Sequence, residues 1–251
     1  MITIKSSREI ELMKTAGDIL ARTREYLIPF IKPGVTTHEL DMLAHNFILE
    51  NDATPSFKGY QGFDGSICAS VNEVVIHGIP SKKKVLKDGD ILSLDLGVNY
   101  KGYHADSAWT FPVGVISNEV KKLLEVTEEA LWNGLAVIKP GASVNEISKA
   151  VEQTIRPHGY GIVEEFTGHG IGQSLHEDPA IPNFGYEPNH VILKAGMTFC
   201  VEPMVNIGTK RVRILKDGWT TVTQDKSYSA HFEHTVLVTE TGYEVLTKTK
   251  E

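Results

Sequence analysis

Cysteine is scarce in this 251-residue chain, with Cys68 and Cys200 as the only two. Two thiols exclude a disulfide framework, and a core of this size needs no such staples. Free thiols suit a reducing compartment. Positive charge is also in deficit. A formal net charge of −7 argues against non-specific attachment to nucleic acid or to an acidic membrane surface. No apolar run reaches the length needed to span a bilayer. The N-terminal stretch MITIKSSREIELMKTAGDIL mixes charge throughout and does not read as a signal peptide. These absences predict a soluble, cytoplasmic protein with no nucleic-acid specificity and no membrane attachment, expected to be a monomer.

What is present is ordinary in amount, with 41% hydrophobic and 23% charged residues. Its arrangement is informative. Ser6 or Ser7 is positioned to cap a helix from about Arg8, which Pro29 and then Pro33-Gly34 end. Thr36 or Thr37 caps a second helix with Leu40, Leu43, Ala44, Phe47 and Ile48 as its apolar stripe. Residues 54 to 66 read as loop, Cys68 to Ile76 as a strand, and the lysines at 82 to 84 as a solvated turn. Asn118 is expected to cap a third helix running to about Ile138, and Ser143 a fourth.

The second half repeats the first at an offset of 107 residues. Ile31-Lys32-Pro33-Gly34 matches Ile138-Lys139-Pro140-Gly141, Leu86-Lys87 matches Leu193-Lys194, Gly89 matches Gly196, and Val98-Asn99 matches Val205-Asn206. At the same offset Asp95 matches Glu202. A unit this long is no solenoid repeat. The pattern predicts one α/β (α+β) domain over 1–251. Its two like halves, about 1–115 and 116–251, are related by a pseudo-two-fold. Their sheets are joined into one curved, mainly antiparallel sheet with the helices on one face.

Asp90 to Phe111 reads as a hairpin, because Leu92, Leu94, Leu96 and Val98 alternate with Ile91, Ser93, Asp95 and Gly97. Centring the turn between Tyr100 and Lys101 places Asp95 directly opposite Asp106. Like charges there repel, so the pair is either solvated or holds a cation. Three further stretches offer chemistry. GHGIG (168–172) flanks His169 with glycines, which allow close backbone approach to a ligand or positive φ; His176 follows in LHEDP. Taken alone, each histidine reads as hydrogen-bonded or exposed, and GHGIG lacks the Lys-Ser ending of a phosphate loop. FCVEPM places Glu202 at the end of a buried strand. In SAHFEHTV, the last strand, alternation sets His231, Glu233 and Thr235 on one face and Phe232, His234 and Val236 on the other.

Asp95, Asp106, His169, Glu202 and Glu233 together form a set of four carboxylates and one imidazole. That much negative charge is not buried uncompensated. Two divalent cations would balance it, and a pair of metals held by bridging carboxylates suits hydrolysis. Oxygen-rich ligation with one nitrogen points to Mn, Fe or Co rather than to a structural cysteine-type zinc site.

CASVNEVVIHGIP (68–80), the Asp95 and Asp106 hairpin, GHGIG and LHEDP (168–179), VEPM (201–204) and SAHFEHTVLVT (229–239) occur in order. The chain resembles the type I methionine aminopeptidases in these blocks, over nearly its whole length. The resemblance implies the pita-bread fold. It also implies two divalent metal ions (Co, Mn, Fe or Zn) and removal of the initiator methionine from nascent chains with a small second residue. The ribosome is then a possible partner. By the same resemblance Asp95 and Asp106 ligate metal with Asp106 bridging, His169 and Glu202 hold the second metal, and Glu233 bridges. Glu202 also shuttles protons, and His77 and His176 hydrogen-bond the substrate and the tetrahedral intermediate. Tyr60, Phe63, Cys68, Leu175 and Trp219 line the methionine pocket, where a soft sulfur suits a thioether. Three positions depart from the family's commoner residues. They are Leu175 (phenylalanine in some relatives), His231 (glutamine in many) and Phe63 (frequently tyrosine). The chain reads as lacking an N-terminal extension, and the short gap from His169 to Glu202 leaves no room for the type II subdomain. A fold-mate cleaving X-Pro bonds shares the ligands and is the alternative activity; a catalytically dead binding module is a third reading.

Overall fold

Four local signals of the form Ser/Thr-x-x-Glu or Ser-x-x-Val start the four helices. In the computed structural model, which describes residues 2–185 and 190–249, Ser6 caps α1 (Ser7–Leu27) and Thr36 caps α2 (Thr37–Glu50). Ser117, not Asn118, caps α3 (Asn118–Ala136), its hydroxyl accepting from the Val120 N–H. Ser143 precedes α4 (Val144–Ile155). Ser6, Thr36 and Ser143 each form a reciprocal capping box with Glu9, Glu39 and Glu146, which satisfies orphan N–H groups at the helix start. Pro29 and the following turn stop α1, since proline cannot continue the hydrogen-bond ladder.

Five strands follow the first helix pair: β1 (Thr54–Pro55), β2 (Ile67–Val71), β3 (Val74–Ile76), β4 (Ile91–Tyr100) and β5 (Tyr103–Pro112). Ten more belong to the second half: β6 (Gly161–Ile162), β7 (Gly168–Gly170), β8 (Glu177–Ile181), β9 (Thr198–Val201), β10 (Met204–Asn206), β11 (Val212–Ile214), β12 (Thr221–Thr223), β13 (Ser229–His231), β14 (His234–Val238) and β15 (Tyr243–Val245). All described pairings are antiparallel. They form four hydrogen-bonded sheets rather than one continuous sheet: β1 and β2 beside β4 with β5 on its other edge, β15-β14-β9-β7-β8, β13-β10-β6, and β11-β12-β3.

Several expectations change here. Cys68 to Ile76 is two strands, because Asn72 adopts φ 57° and turns the chain. Its side chain accepts from the Ile91 N–H at 2.9 Å. The stretch read as one last strand is broken between His231 and His234, and β15 follows it. At the break Glu233 leaves its ladder and donates its N–H to the Ala108 carbonyl of β5 at 2.8 Å. The hairpin register also differs. Lys101 (φ 50°) and Gly102 (φ 87°) form a two-residue turn with positive φ at both positions, the arrangement that matches strand twist. The turn is therefore centred one residue later. Asp95 faces Ala108, and Asp106 faces Gly97. The two acids share a sheet face as diagonal neighbours, not as a direct pair.

Hydrogen bonds recur at the 107-residue offset. Thr36 bridges Val85 as Ser143 bridges Ile192. The Gly34 N–H donates to Leu86 O at 2.8 Å, and the Gly141 N–H to Leu193 O at 2.9 Å. Each pair of helices packs on its own strands. Leu20, Leu27, Leu40 and Ile48 join Leu92, Leu94 and Leu96 in one core. Leu131, Leu135, Ile147 and Val151 join Phe199, Val201 and Val205 in the other. Each such buried side chain contributes roughly 1.5–3 kcal/mol relative to exposure. A third cluster holds Met13, Phe63, Cys68, Leu175 and Cys200, drawn from both halves of the chain. The cavity described next opens beside it.

Candidate metal centre and active site

Five chain segments deliver ionisable groups to one place. Asp95 comes from β4, Asp106 from β5, His169 from β7, Glu202 from the residue after β9, and Glu233 from the break between β13 and β14. They line a cavity of about 510 Å³. All twelve residues singled out from the sequence line it: these five, His77, His176, Tyr60, Phe63, Cys68, Leu175 and Trp219. Six others join them: Phe57, Gln61, Ile76, Glu165, Phe166 and Thr167. Phe166 packs edge-on against His77, with ring centroids 5.8 Å apart. Ile76 ends the strand read from the sequence, and for 165–167 the one available signal was adjacency to His169.

The glycines around His169 do a different job from the one expected. Neither Gly168 nor Gly170 is among the positive-φ residues. A Cβ on Gly168 would sit 2.3 Å from the Cys200 carbonyl oxygen, and one on Gly170 would sit 2.0 Å from that of Asp178. They let β7 fit between β8 and β9, which aims His169 into the cavity. The His169 Nδ1 lies 2.9 Å from the Gly170 carbonyl. A carbonyl only accepts, so the proton is on Nδ1 and Nε2 presents a lone pair. That Nε2 lies 3.6 Å from Glu202 Oε1 and 4.0 Å from Asp106 Oδ2.

The electrostatics show what these groups need. Burial, then the carboxylates of Glu233, Asp95 and Glu202, holds Asp106 well above the ordinary carboxylate range. Burial, then Glu202 and Asp95, does the same to Glu233. Glu202 is raised well above by burial and Asp95, and Asp95 is raised by burial. Burial lowers His169, His77 and His231 to about 4. Asp95 Oδ1, Asp106 Oδ1, Glu233 Oε1 and His231 Nε2 are buried with no hydrogen-bond partner. Converging carboxylate oxygens and imidazole nitrogens, ion-paired among the described residues to histidines and to no lysine or arginine, are a donor set that fits divalent cations. Donor atoms of Asp95, Asp106 and Glu233 lie within 4.8 Å of one another, as do those of Glu202, His231 and Glu233, and of His169, Cys200 and Glu233. The reading from sequence missed Cys200 and His231 in these groups. The Cys200 thiol, pushed well up by burial, lies 3.4 Å from Thr235 Oγ1.

The remaining walls are apolar or aromatic. Phe63 stacks edge-on to Trp219 at 5.2 Å, and His77 does so to Trp219 at 5.9 Å. Cys68 pairs with Asp95 across β2 and β4, so the apolar wall runs directly into the carboxylate cluster. Tyr60 Oη lies 2.8 Å from His176 Nδ1, and the His176 and His169 rings are 4.3 Å apart. His234 faces the other way, with Nδ1 2.8 Å from Thr247 Oγ1, as alternation predicts.

A buried carboxylate–imidazole cluster at the floor of a cavity, on antiparallel ladders backed by helix pairs, is the build of a metal-dependent hydrolase. The sequence profile of metallopeptidase family M24 matches residues 11–240, and the chain belongs to that family. It is 53% identical over 248 residues to methionine aminopeptidase 1 of Bacillus subtilis, covering 99% of this chain and 100% of that one. The crystal structure of methionine aminopeptidase from Thermotoga maritima superposes with a TM-score of 0.97 at 44% identity, covering 99% of this chain and 100% of that chain. A prolidase from Pyrococcus furiosus superposes with a TM-score of 0.82 at 27% identity, but this chain covers 66% of it. The fold is the pita-bread fold of these neighbours, and family membership implies use of divalent metal.

Proposed function

We propose that this protein is a methionine aminopeptidase that removes the initiator methionine from peptides and nascent chains whose second residue is small. The observation that carries the reading is the junction of an apolar pocket with the carboxylate cluster: Phe63, Cys68, Leu175 and Trp219 share one cavity with Asp95, Asp106, His169, Glu202 and Glu233. A thioether side chain fits the first group and the scissile peptide then reaches the second.

Asp95, Asp106, His169, Glu202 and Glu233 would hold two divalent cations, of Co, Mn, Fe or Zn. Bound there, such cations polarise a peptide carbonyl and acidify water. Glu202 takes the proton of the attacking water and returns it to the leaving amine, because its carboxylate lines the cavity where the ligand cluster meets the substrate pocket. His176 and His77, both lowered by burial, are neutral at pH 7 and donate hydrogen bonds to the substrate. Tyr60 Oη lies 2.8 Å from His176 Nδ1, and a hydroxyl donating across that contact would leave the ring proton on Nε2, facing the substrate. We read the chain as one catalytic domain of two like halves over 1–251, acting as a monomer in the cytoplasm with access to chains emerging from the ribosome. Among the described residues no helix is long and apolar enough to cross a membrane.

Recombinant protein supplied with Co, Mn or Fe should release methionine from Met-Ala-Ser and leave Ala-Pro-Ala intact. Cleavage of Ala-Pro-Ala alone would move the assignment to the X-Pro enzymes. Cleavage of neither, with two metals bound, would leave a binding module.

A further inference from the structure

The Glu202 carboxylate lies between two imidazoles. Its Oε1 is 3.6 Å from His169 Nε2, and its Oε2 is 3.6 Å from His231 Nε2. The correspondence extends to the next carboxylate on each side: His169 Nε2 lies 4.0 Å from Asp106 Oδ2, and His231 Nε2 lies 4.0 Å from Glu233 Oε2. His231 is 2% exposed, and its Nε2 has no hydrogen-bond partner. A donating N–H would stand about 2.7–3.2 Å from a carboxylate oxygen, which neither contact reaches. Two atoms that each bind one cation at about 2.0–2.2 Å lie roughly 2.8–4.4 Å apart, and both contacts fall inside that window. The donor atoms of Glu202, His231 and Glu233 form one of the three convergent groups.

The backbone of His231 is held as firmly as that of a ligand should be. Its N–H donates to Thr110 Oγ1 at 2.9 Å, and the same hydroxyl donates to its carbonyl at 2.8 Å. In β13 it pairs with Met204, two residues beyond Glu202.

We propose that His231 is a metal-ligating residue, supplying a second nitrogen across Glu202 from His169, so that the centre holds four carboxylates and two imidazoles. The inference rests on the metal centre of the proposed function and goes beyond its five ligands. A second imidazole favours later first-row metals over Mn. His231→Gln should therefore weaken one of two cobalt sites about tenfold or more, leave the other unchanged, and narrow the preference for Co over Mn.

The test is equilibrium dialysis of wild-type and His231→Gln protein with Co(II) and with Mn(II), joined to X-ray absorption of the cobalt-loaded proteins. Two imidazoles per pair of cobalt ions in the wild type and one in the variant support the assignment. One imidazole in the wild type, or equal affinities in the two proteins, overturns it. Should the variant not fold, hyperfine-shifted imidazole N–H resonances of the wild-type Co(II) protein decide alone: two support it and one overturns it. A wild type that binds no cobalt overturns the metal centre itself, which is a different result.

Discussion

The hydroxyl of Thr235 accepts a hydrogen bond from the Asp106 N–H at 2.9 Å and donates one to the Asp106 carbonyl at 2.7 Å. A side chain here does the work of a strand partner, and it joins β5 to β14 where no ladder runs. Thr110 does the same for His231. Thr235→Val keeps the shape and leaves both Asp106 backbone groups buried without this partner, at a cost of about 1–3 kcal/mol. Thr235→Ser keeps the bonds and should cost less. Urea denaturation of chelator-treated protein reads the stability, and metal analysis of untreated protein should show a parallel loss in the valine variant alone. A valine variant as stable as wild type would remove the hydroxyl from the account.

Gly170 leaves no room for a side chain, since its Cβ would lie 2.0 Å from the Asp178 carbonyl oxygen. Gly170→Ala must push β7 away from β8 and carry His169 with it. Overpacking of this kind costs about 1–3 kcal/mol, and the variant should bind less metal than wild type. The thermal midpoint and the bound-metal ratio check this. Normal metal content would show that β7 shifts without turning His169.

Local signals were legible in the sequence where they act over three or four residues. The capping boxes at Ser6, Thr36 and Ser143 needed nothing beyond their own helix turn. The site was legible because a carboxylate in an apolar strand is costly to bury unless a cation or a donor meets it. What was misread depends on partners far away in the chain. Lys101 gives little warning of a left-handed turn residue, and moving the turn centre by one residue moves every pairing by two. The strand break at Glu233 answers to Ala108, 125 residues away. The glycines of GHG answer to carbonyls on β8 and β9 rather than to a ligand.

His77 holds φ 58° at the cavity rim, a left-handed conformation that asparagine tolerates and β-branched residues resist. His77→Asn should stay within about 0.5 kcal/mol of wild-type stability. His77→Val should lose about 1–3 kcal/mol. Both should lower kcat/KM on Met-Ala-Ser by about 10²–10³, the scale for losing one donor to a developing charge. Denaturant midpoints separate the backbone effect from the chemical one. Equal stability of the two variants would show that the backbone conformation is not what constrains this position.

Lys5 ties the N-terminal segment to the strand that begins beside His176. Its Nζ lies 2.7 Å from Glu177 Oε2, with the two side chains 4% and 13% exposed, and its N–H donates to the Gly196 carbonyl at 2.8 Å. Burial pushes the Glu177 carboxyl up, but the Lys5 ammonium, the Ser174 N–H and the Thr3 hydroxyl bring it net below its ordinary value of 4.5. A carboxyl depressed in the folded state contributes stability that is present above its unfolded pKa and is lost as pH falls through the folded one. Lys5→Met keeps the stem and removes the charge, and should cost about 1.5–3 kcal/mol at pH 7. The gap between variant and wild type should then close below the ordinary glutamate range, where a protonated Glu177 no longer needs the ammonium. Urea titrations at neutral pH and on the acid side of that range measure it. A gap that persists unchanged in acid would mean that Lys5 acts through the packing of its stem, and that the tether beside His176 is not electrostatic.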